Sequence, residues 1–523
     1  MSSFTDLHQL LLVLVIPLFI FLASLLVFFR RRRRHRLPPG PPGIPILGNV
    51  LQLGPLPHRF LANLHKTYGP LVYLRLGSVH TVTTNDSEIF KEMMSTQDQI
   101  FASRYQRIAI QYFCYNGMDL VMGPYGDAWK RLRRIGVEHL LSNRQTLSFR
   151  RHRREEADCM VRFVMEKSLR GELIPLRDVF KSFSLNNTTR MLQGKRFFGL
   201  QDAGPEETAR IAALSGDAFE LMGAFNIGDY IPWLRWLDLQ GYNRRCQKAL
   251  ERMEEVVNPV LEDHRTRRKG NRDVEPSNFI DLLLSLQETQ GEDVLSDVMI
   301  KALILDLLGA GTDTTAVTNE WAMVQLLRHP HVMCKLQEEL VNVVGKERAL
   351  DEADLPNLPY LRCVMMEVLR LSQPGPFVAP RECLKATKVA GYEIPENTMV
   401  IFNLFAHGRN PKAWPERTEE FVPERHMQNV EGKGFRMENG PGPDFHYTAF
   451  GGGRRRCAGA SLAMIIVMLA VGRLVHSFDW APPPGMSKDD IDLTEVFGLS
   501  TPLAAPLFAV ATPHRLLPTD DKL

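Results

Sequence analysis

The chain reads as mainly α-helical with small β-sheets, built as one large domain. Three observations predict this. Apolar residues recur at helical spacing through most of the chain, strand signals come only in short pairs, and no Gly/Ser linker, repeat or composition shift divides the 523 residues. At 44% apolar with a net charge of +3, the chain can bury a large core, and no nucleic-acid partner is expected. Seven scattered cysteines, an odd number, do not make a disulfide framework and place the folded part in a reducing compartment.

Residues 1–29 read as a membrane anchor. Leu10 to Phe29 is uncharged and apolar apart from Ser24, enough helix to cross a hydrocarbon core of roughly 30 Å. Pro17 within it is tolerated in such helices. Arg30 to Arg34, His35 and Arg36 follow, so the positive-inside rule puts the rest of the chain in the cytosol. A cleaved signal peptide would carry its charge before a shorter apolar region and a small-residue cleavage site after it. Residues 30–48 form a basic and proline-rich hinge that includes Pro38-Pro-Gly-Pro-Pro-Gly-Ile-Pro45, and residues 49–523 form the globular domain.

Leu71–Gly77 and His80–Thr84 alternate around Gly77-Ser78 as a hairpin, and Ser87 to Met94 reads as a capped helix. Trp129 and Arg133 lie at i and i+4 on one helix face, where an indole N–H and a guanidinium together suit a carboxylate, although a packed Trp on a basic helix gives the same pattern. Arg131 and Arg134 read as exposed. Phe219 to Leu239 is unusually aromatic for a connection and is broken by Gly228 and Pro232, which suits either a lid or core. Lys269 to Ser277 is polar and reads as a surface loop.

Val294 to Leu327 reads as one long helix holding Gly309-Ala-Gly311-Thr-Asp-Thr-Thr315 in its middle. Interior glycine costs about 1 kcal/mol relative to alanine, and threonine competes for backbone carbonyls. The stretch therefore predicts either a packing kink or a widened turn whose freed carbonyls and hydroxyls hold water. Glu367 and Arg370 are three apart on an otherwise apolar helix, and a buried pair of this kind needs a third partner, for which Arg425 is available.

Near the C-terminus, Phe450-Gly-Gly-Gly-Arg-Arg-Arg-Cys457-Ala-Gly459 precedes an apolar helix from Ala460 to Phe478. The glycines allow close approach to something flat and large. The helix start and Arg454, Arg455 and Arg456 are expected to lower the Cys457 thiol pKa. No CxxC or neighbouring His completes a zinc site, whereas one thiolate suits haem iron. Taken alone, such a cysteine is most often a small buried residue.

Phe450, Gly453, Arg455, Cys457 and Gly459 reproduce the signature F-x-x-G-x-R-x-C-x-G, and by it the chain resembles the cytochrome P450 superfamily of haem-thiolate monooxygenases. The resemblance runs from the anchor to the C-terminus. It implies the P450 fold behind one N-terminal transmembrane helix, in the endoplasmic reticulum membrane with the catalytic domain facing the cytosol. It implies haem b as cofactor, with Cys457 as axial iron ligand and Arg455, Arg381, Trp129 and Arg133 holding the propionates. Ala310, Gly311, Asp313 and Thr314 match the motif A/G-G-x-D/E-T, with Gly311 making room for dioxygen and substrate and Asp313 and Thr314 delivering protons. Glu367, Arg370 and Arg425 match the triad that locks the fold around the cysteine loop. Phe377 and Val378 would face the substrate.

The implied partners are NADPH–cytochrome reductase, the lipid bilayer, dioxygen and a small apolar substrate. Two departures stand out: Ser372-Gln373 replaces a histidine common in plant members, and Ala458 replaces a proline after the cysteine. Ala316–Met323, Pro423–His426, and the run from Val430 to Phe445 resemble land-plant enzymes that hydroxylate medium-chain fatty acids in-chain for the sporopollenin of spore and pollen walls. Phe225-Asn-Ile-Gly-Asp229 is similar to flavonoid and phenylpropanoid ring hydroxylases, the alternative reading. A haem protein without oxygen activation would not need Asp313 and Thr314, and a tethered interaction protein would not need Cys457 in this loop.

Overall fold

The computed structural model describes residues 36–196, 218, 220–270, 275–432, 439–442 and 444–514. The expected anchor, the arginine run up to His35, Phe219 and residues 271–274 of the expected polar loop lie outside them.

The axis of the molecule is the helix Asp297–Arg328. Ser296 starts it by accepting a hydrogen bond from the Met299 N–H, and Asp297 and Arg328 complement the helix dipole at either end. Every residue from Thr315 to Leu327 is buried, so this half needs neighbours on all sides. The helices Leu176–Gln193, Pro359–Leu371 and Ala460–Ser477 supply them. Ala460–Ser477 is long and apolar enough to cross a membrane, but it is mostly buried and belongs to this core.

The widened turn does not form. Gly309 to Thr315 is continuous α-helix, because the threonine hydroxyls bond back along it rather than opening it: Thr314 Oγ1 donates to Ala310 O (2.6 Å), Thr315 Oγ1 to Gly311 O (2.7 Å) and Thr318 Oγ1 to Thr314 O (2.7 Å).

A five-stranded sheet lies to one side. It consists of β1 (Leu71–Leu76), β2 (Val79–Thr84), β3 (Ser103–Arg104), β4 (Arg381–Glu382) and β5 (Met399–Phe402), in the order β1-β2-β5-β4-β3. The expected hairpin pairs Leu71 with Thr84 and Leu76 with Val79, and β5 joins it in parallel. β4 pairs Arg381 with Arg104 of β3, which sets two basic side chains at one sheet edge. The second half of the proline-rich hinge is laid on this sheet, with Tyr73 N donating to Pro39 O (2.8 Å) and Gly48 bridging to Leu76.

Candidate active site

The bend before Cys457 is tight because its glycines are used against the protein's own chain. Gly451 and Gly453 adopt φ of +67° and +66°, and a Cβ on Gly453 would collide with Met94 O and the Asp98 carboxylate. The backbone approach foreseen for a flat group is thus spent at Gly453 on Met94 and Asp98. Phe450 O accepts from Cys457 N (3.0 Å), which closes the loop. Cys457 is surrounded by protein yet retains accessible surface. All seven cysteines are free thiols.

One expectation is overturned here. Burial pushes the Cys457 thiol up, and the Gly459 N–H, Arg133 and Arg456 only partly offset it. The loop by itself does not make a thiolate; a bound metal cation would have to do that.

Above the cysteine, arginines converge without enough acids to neutralise them. Arg455 donates to Ala102 O and Gly123 O, and its guanidinium lies 3.8 Å from the centre of the Trp129 ring. Arg381 donates to Gly452 O (2.7 Å) and faces Asp98 at 3.6 Å. Three buried nitrogens, Arg381 Nε and Nη1 and Arg455 Nη1, have no hydrogen-bond partner. Burial lowers Arg381 to about 10, and burial together with the charge of Arg381 lowers Arg455 to about 9.

Arg104 stands in the same cluster and is pushed well down by burial, then by Arg455 and Arg381. The sequence reading missed it, because Phe101-Ala-Ser-Arg104 carries no spacing signal; only the β3–β4 pairing reveals it. The Trp129 indole N–H goes to Leu120 O (2.9 Å), so Trp129 serves the cluster as a platform under Arg455. Arg133 donates to Arg456 O (2.7 Å) and stands close enough to Cys457 to feel its charge. Arg134 is exposed as expected, whereas Arg131 is half-buried.

The central helix contributes the opposite wall. Gly309, Ala310, Leu305 and Leu308 line an apolar cavity with Phe113, Val121, Met222, Val256 and Leu499. Ala310 is exposed to it, although it sits in the middle of a core helix. Gly311 points elsewhere: a Cβ there would meet Thr188 Oγ1 at 3.2 Å, so this glycine permits the close approach of the helix Leu176–Gln193. Ala310 is therefore among the residues that line this cavity, and Gly311 is not. Phe377 and Val378 are not among the lining residues. Phe377 packs edge-on against Phe497 and His58, and Val378 is buried beside Gly451.

Burial raises the Asp313 carboxyl, and the Ser500 hydroxyl, which donates to its Oδ2, partly opposes this. Asp306, two turns earlier, holds the loop at Leu120 and Val121 by accepting from Leu120 N (2.7 Å) and Val121 N (3.3 Å).

The segment 220–239 roofs this cavity. Asp229 accepts from Ile108 N (2.7 Å), Arg107 Nη2 donates to Met222 O (2.7 Å), and Tyr230 O accepts from Ser78 N (2.8 Å). Met222 faces inward and Leu221, Tyr230 and Ile231 are buried, while Trp233 and Trp236 are 63% and 79% exposed, so the aromatic connection is part core and part exposed surface.

Glu367 forms a closed lock elsewhere in the core. Arg370 binds it twice, Nε to Oε2 and Nη2 to Oε1, both at 2.8 Å. Arg425 Nε donates to Oε1 (2.9 Å), Val422 N adds a further bond (2.8 Å), and His426 Nε2 meets Oε2 at 2.7 Å. Arg370 spends its remaining donors on Gly408 O, Thr418 O and Glu420 O. Burial alone would raise Glu367, but Arg370 and His426 win and hold it at about 2. His426 is the member that sequence reasoning missed, although it directly follows Arg425.

The comparisons with known proteins agree with this geometry. The family model described as Cytochrome P450 matches residues 38–508. Cytochrome P450 703A2 of Oryza sativa subsp. japonica is 44% identical over 491 residues, covering 92% of both chains. The protein of that name from Arabidopsis thaliana is 45% identical, covering 92% of this chain and 93% of its own. A flavonoid 3'-monooxygenase of Crocosmia x crocosmiiflora is 36% identical, covering 94% and 96%. In fold, a structure of a zebrafish cytochrome P450 with abiraterone superposes with a TM-score of 0.73 at 24% identity, over 88% of this chain and all of that one. The chain belongs to the cytochrome P450 family, as a plant-type monooxygenase whose cofactor is a cysteine-ligated haem b.

Proposed function

We propose that Cys457 is the axial ligand of the haem and that the chain hydroxylates a medium-chain fatty acid in-chain, in the making of sporopollenin. The observation that carries the first part is the pairing of one enclosed thiol with buried guanidinium nitrogens that lack hydrogen-bond partners. A planar cofactor bearing two carboxylates fits this donor set, since Arg381, Arg455 and Arg104 would gain the anions their mutual repulsion calls for. When bound, haem supplies the activation of dioxygen, with electrons that a reductase draws from NADPH.

The protein's own residues do the rest. Trp129 fixes Arg455, and Arg133 stands beside the thiolate. The apolar lining of the cavity keeps water from the reacting carbon and orients a chain-like substrate. Asp313 takes protons from the helix exterior and Thr314 passes them inward, in the order that oxygen cleavage requires. Ala310 sets the clearance over the reacting centre. Glu367, Arg370, Arg425 and His426 hold the cysteine loop in place without taking part in chemistry. Residues 1–29 anchor the enzyme once in the endoplasmic reticulum membrane, and the exposed Trp233, Trp236 and Leu239 suit a lipid-facing roof.

The substrate assignment is supported by identity: 44% and 45% to the two 703A2 proteins against 36% to the flavonoid enzyme. The roof motif Phe225–Asp229 favours the second reading, a flavonoid or phenylpropanoid ring hydroxylase. Lauric acid and naringenin, each titrated into the oxidised enzyme, decide between them. A low-to-high-spin shift with lauric acid alone is the expected result; a shift with naringenin alone would replace the fatty-acid reading with the ring hydroxylase.

A further inference from the structure

The C-terminal segment Gly498–Thr501 runs as a strap between the roof and the central helix, and each of its residues is fixed to something different. Gly223 of the roof lies so close to the strap that a Cβ there would collide with the Gly498 and Leu499 backbone. Leu499 lines the substrate cavity. Ser500, 5% exposed, donates its hydroxyl to Asp313 Oδ2. Thr501 is pinned by Thr501 N to Pro374 O (2.8 Å), Oγ1 to Gln373 O (3.0 Å), and Trp321 Nε1 to Thr501 O (3.0 Å). The strap is therefore anchored at Thr501, and it meets the substrate and the roof through Leu499 and Gly498.

We propose that Ser500 is a positioning residue for proton delivery, and that the strap passes the position of the roof and substrate to Asp313. This rests on the reading of Asp313 as the proton relay. The Ser500 hydroxyl occupies Oδ2, so Oδ1 is left as the oxygen that takes and gives the proton. Without that bond the carboxyl is free to turn toward Arg177 and Lys181, whose charges it already feels. A strap displaced at Leu499 by an open roof or a misplaced substrate breaks the bond, which the structure shows made with the roof packed on the strap. Proton delivery then stays in register only while the roof and Leu499 hold the strap in this position, and mistimed delivery releases hydrogen peroxide.

The test uses the full-length enzyme with its reductase and whichever of lauric acid or naringenin shifts the spin state. Two quantities are read in Ser500→Ala, Ser500→Thr and Asp313→Asn: peroxide released per NADPH oxidised, and amide hydrogen exchange of residues 497–501 without NADPH. Ser500→Ala should raise the peroxide share severalfold and speed exchange of the strap. Ser500→Thr, which keeps the hydroxyl, should stay near wild type in both. Asp313→Asn should raise peroxide at least as much, and adding Ser500→Ala to it should raise it no further. Wild-type peroxide or unchanged strap exchange in Ser500→Ala, with Asp313→Asn uncoupled, overturns the role of Ser500 and leaves the relay standing. Wild-type coupling in Asp313→Asn overturns the relay and this proposal together.

Discussion

The molecule buries two arginine clusters, and they differ in one respect. Around Glu367, the carboxylate accepts from Arg370, Arg425 and Val422 and meets His426, and Arg370 finds carbonyls for its remaining donors. Around Arg455, the charges of Arg104 and Arg381 add up, Asp98 pairs with Arg381 only at 3.6 Å, and three nitrogens have no hydrogen-bond partner. Both clusters are expensive to bury. The first is closed and serves the fold; the second is open and calls for an anion. Satisfaction of donors, rather than burial or residue type, separates a structural lock from a binding site.

The sharpest way to break this contrast is to open the closed cluster. Glu367→Ala leaves Arg370 and Arg425 buried without their carboxylate and should cost about 3–5 kcal/mol, read as loss of folded protein in denaturant unfolding. Acid probes the same cluster more gently. The Glu367 pKa is depressed to about 2, so its contribution is complete above about 4.5 and is lost as pH falls through 2. His426 is kept neutral by burial, whereas the unfolded chain takes a proton near pH 6.5, so it pulls in the same direction. Thermal stability should therefore decline steadily on acidification below about pH 6.5; a midpoint that stays flat down to pH 3 would contradict the lock.

The open cluster should respond in the opposite sense. Arg455→Met is expected to weaken haem retention by about 1.5–3 kcal/mol, roughly ten- to hundredfold, while unfolding of the haem-free protein changes less. Haem transfer to apomyoglobin measures the first quantity and calorimetry the second; equal losses in both would make Arg455 a structural residue. The smallest effect belongs to Gly311→Ala. Thr188 Oγ1 at 3.2 Å must yield by tenths of an ångström, which costs about 1 kcal/mol, and the peroxide yield should not change because the glycine faces a helix. Uncoupling in that variant would return Gly311 to the cavity.

Much of this was legible in the sequence where chemistry and spacing coincide. The cysteine loop, the helix bearing Asp313, and Glu367 with Arg370 each lie within one short stretch, so local pattern was enough. What failed were directions and long-range pairings. Gly311 and Ala310 are neighbours in sequence but face different partners, and only helix packing decides which side is the cavity. Arg104 joins the site through β3–β4 pairing across 277 positions. Ser500 reaches Asp313 across 187. The pKa expectation for Cys457 was wrong for a related reason: it weighed neighbouring charges and the helix start but not the depth of burial.

The most direct test is the carbon monoxide difference spectrum of the reduced enzyme, taken for wild type and Cys457→Ser with circular dichroism as a check on folding. The account predicts a Soret band at the thiolate-ligated position in wild type, and its loss in a variant that remains folded. A thiolate-type band that survives in folded Cys457→Ser would show that another group binds the iron, and the open arginine cluster would then need a different explanation.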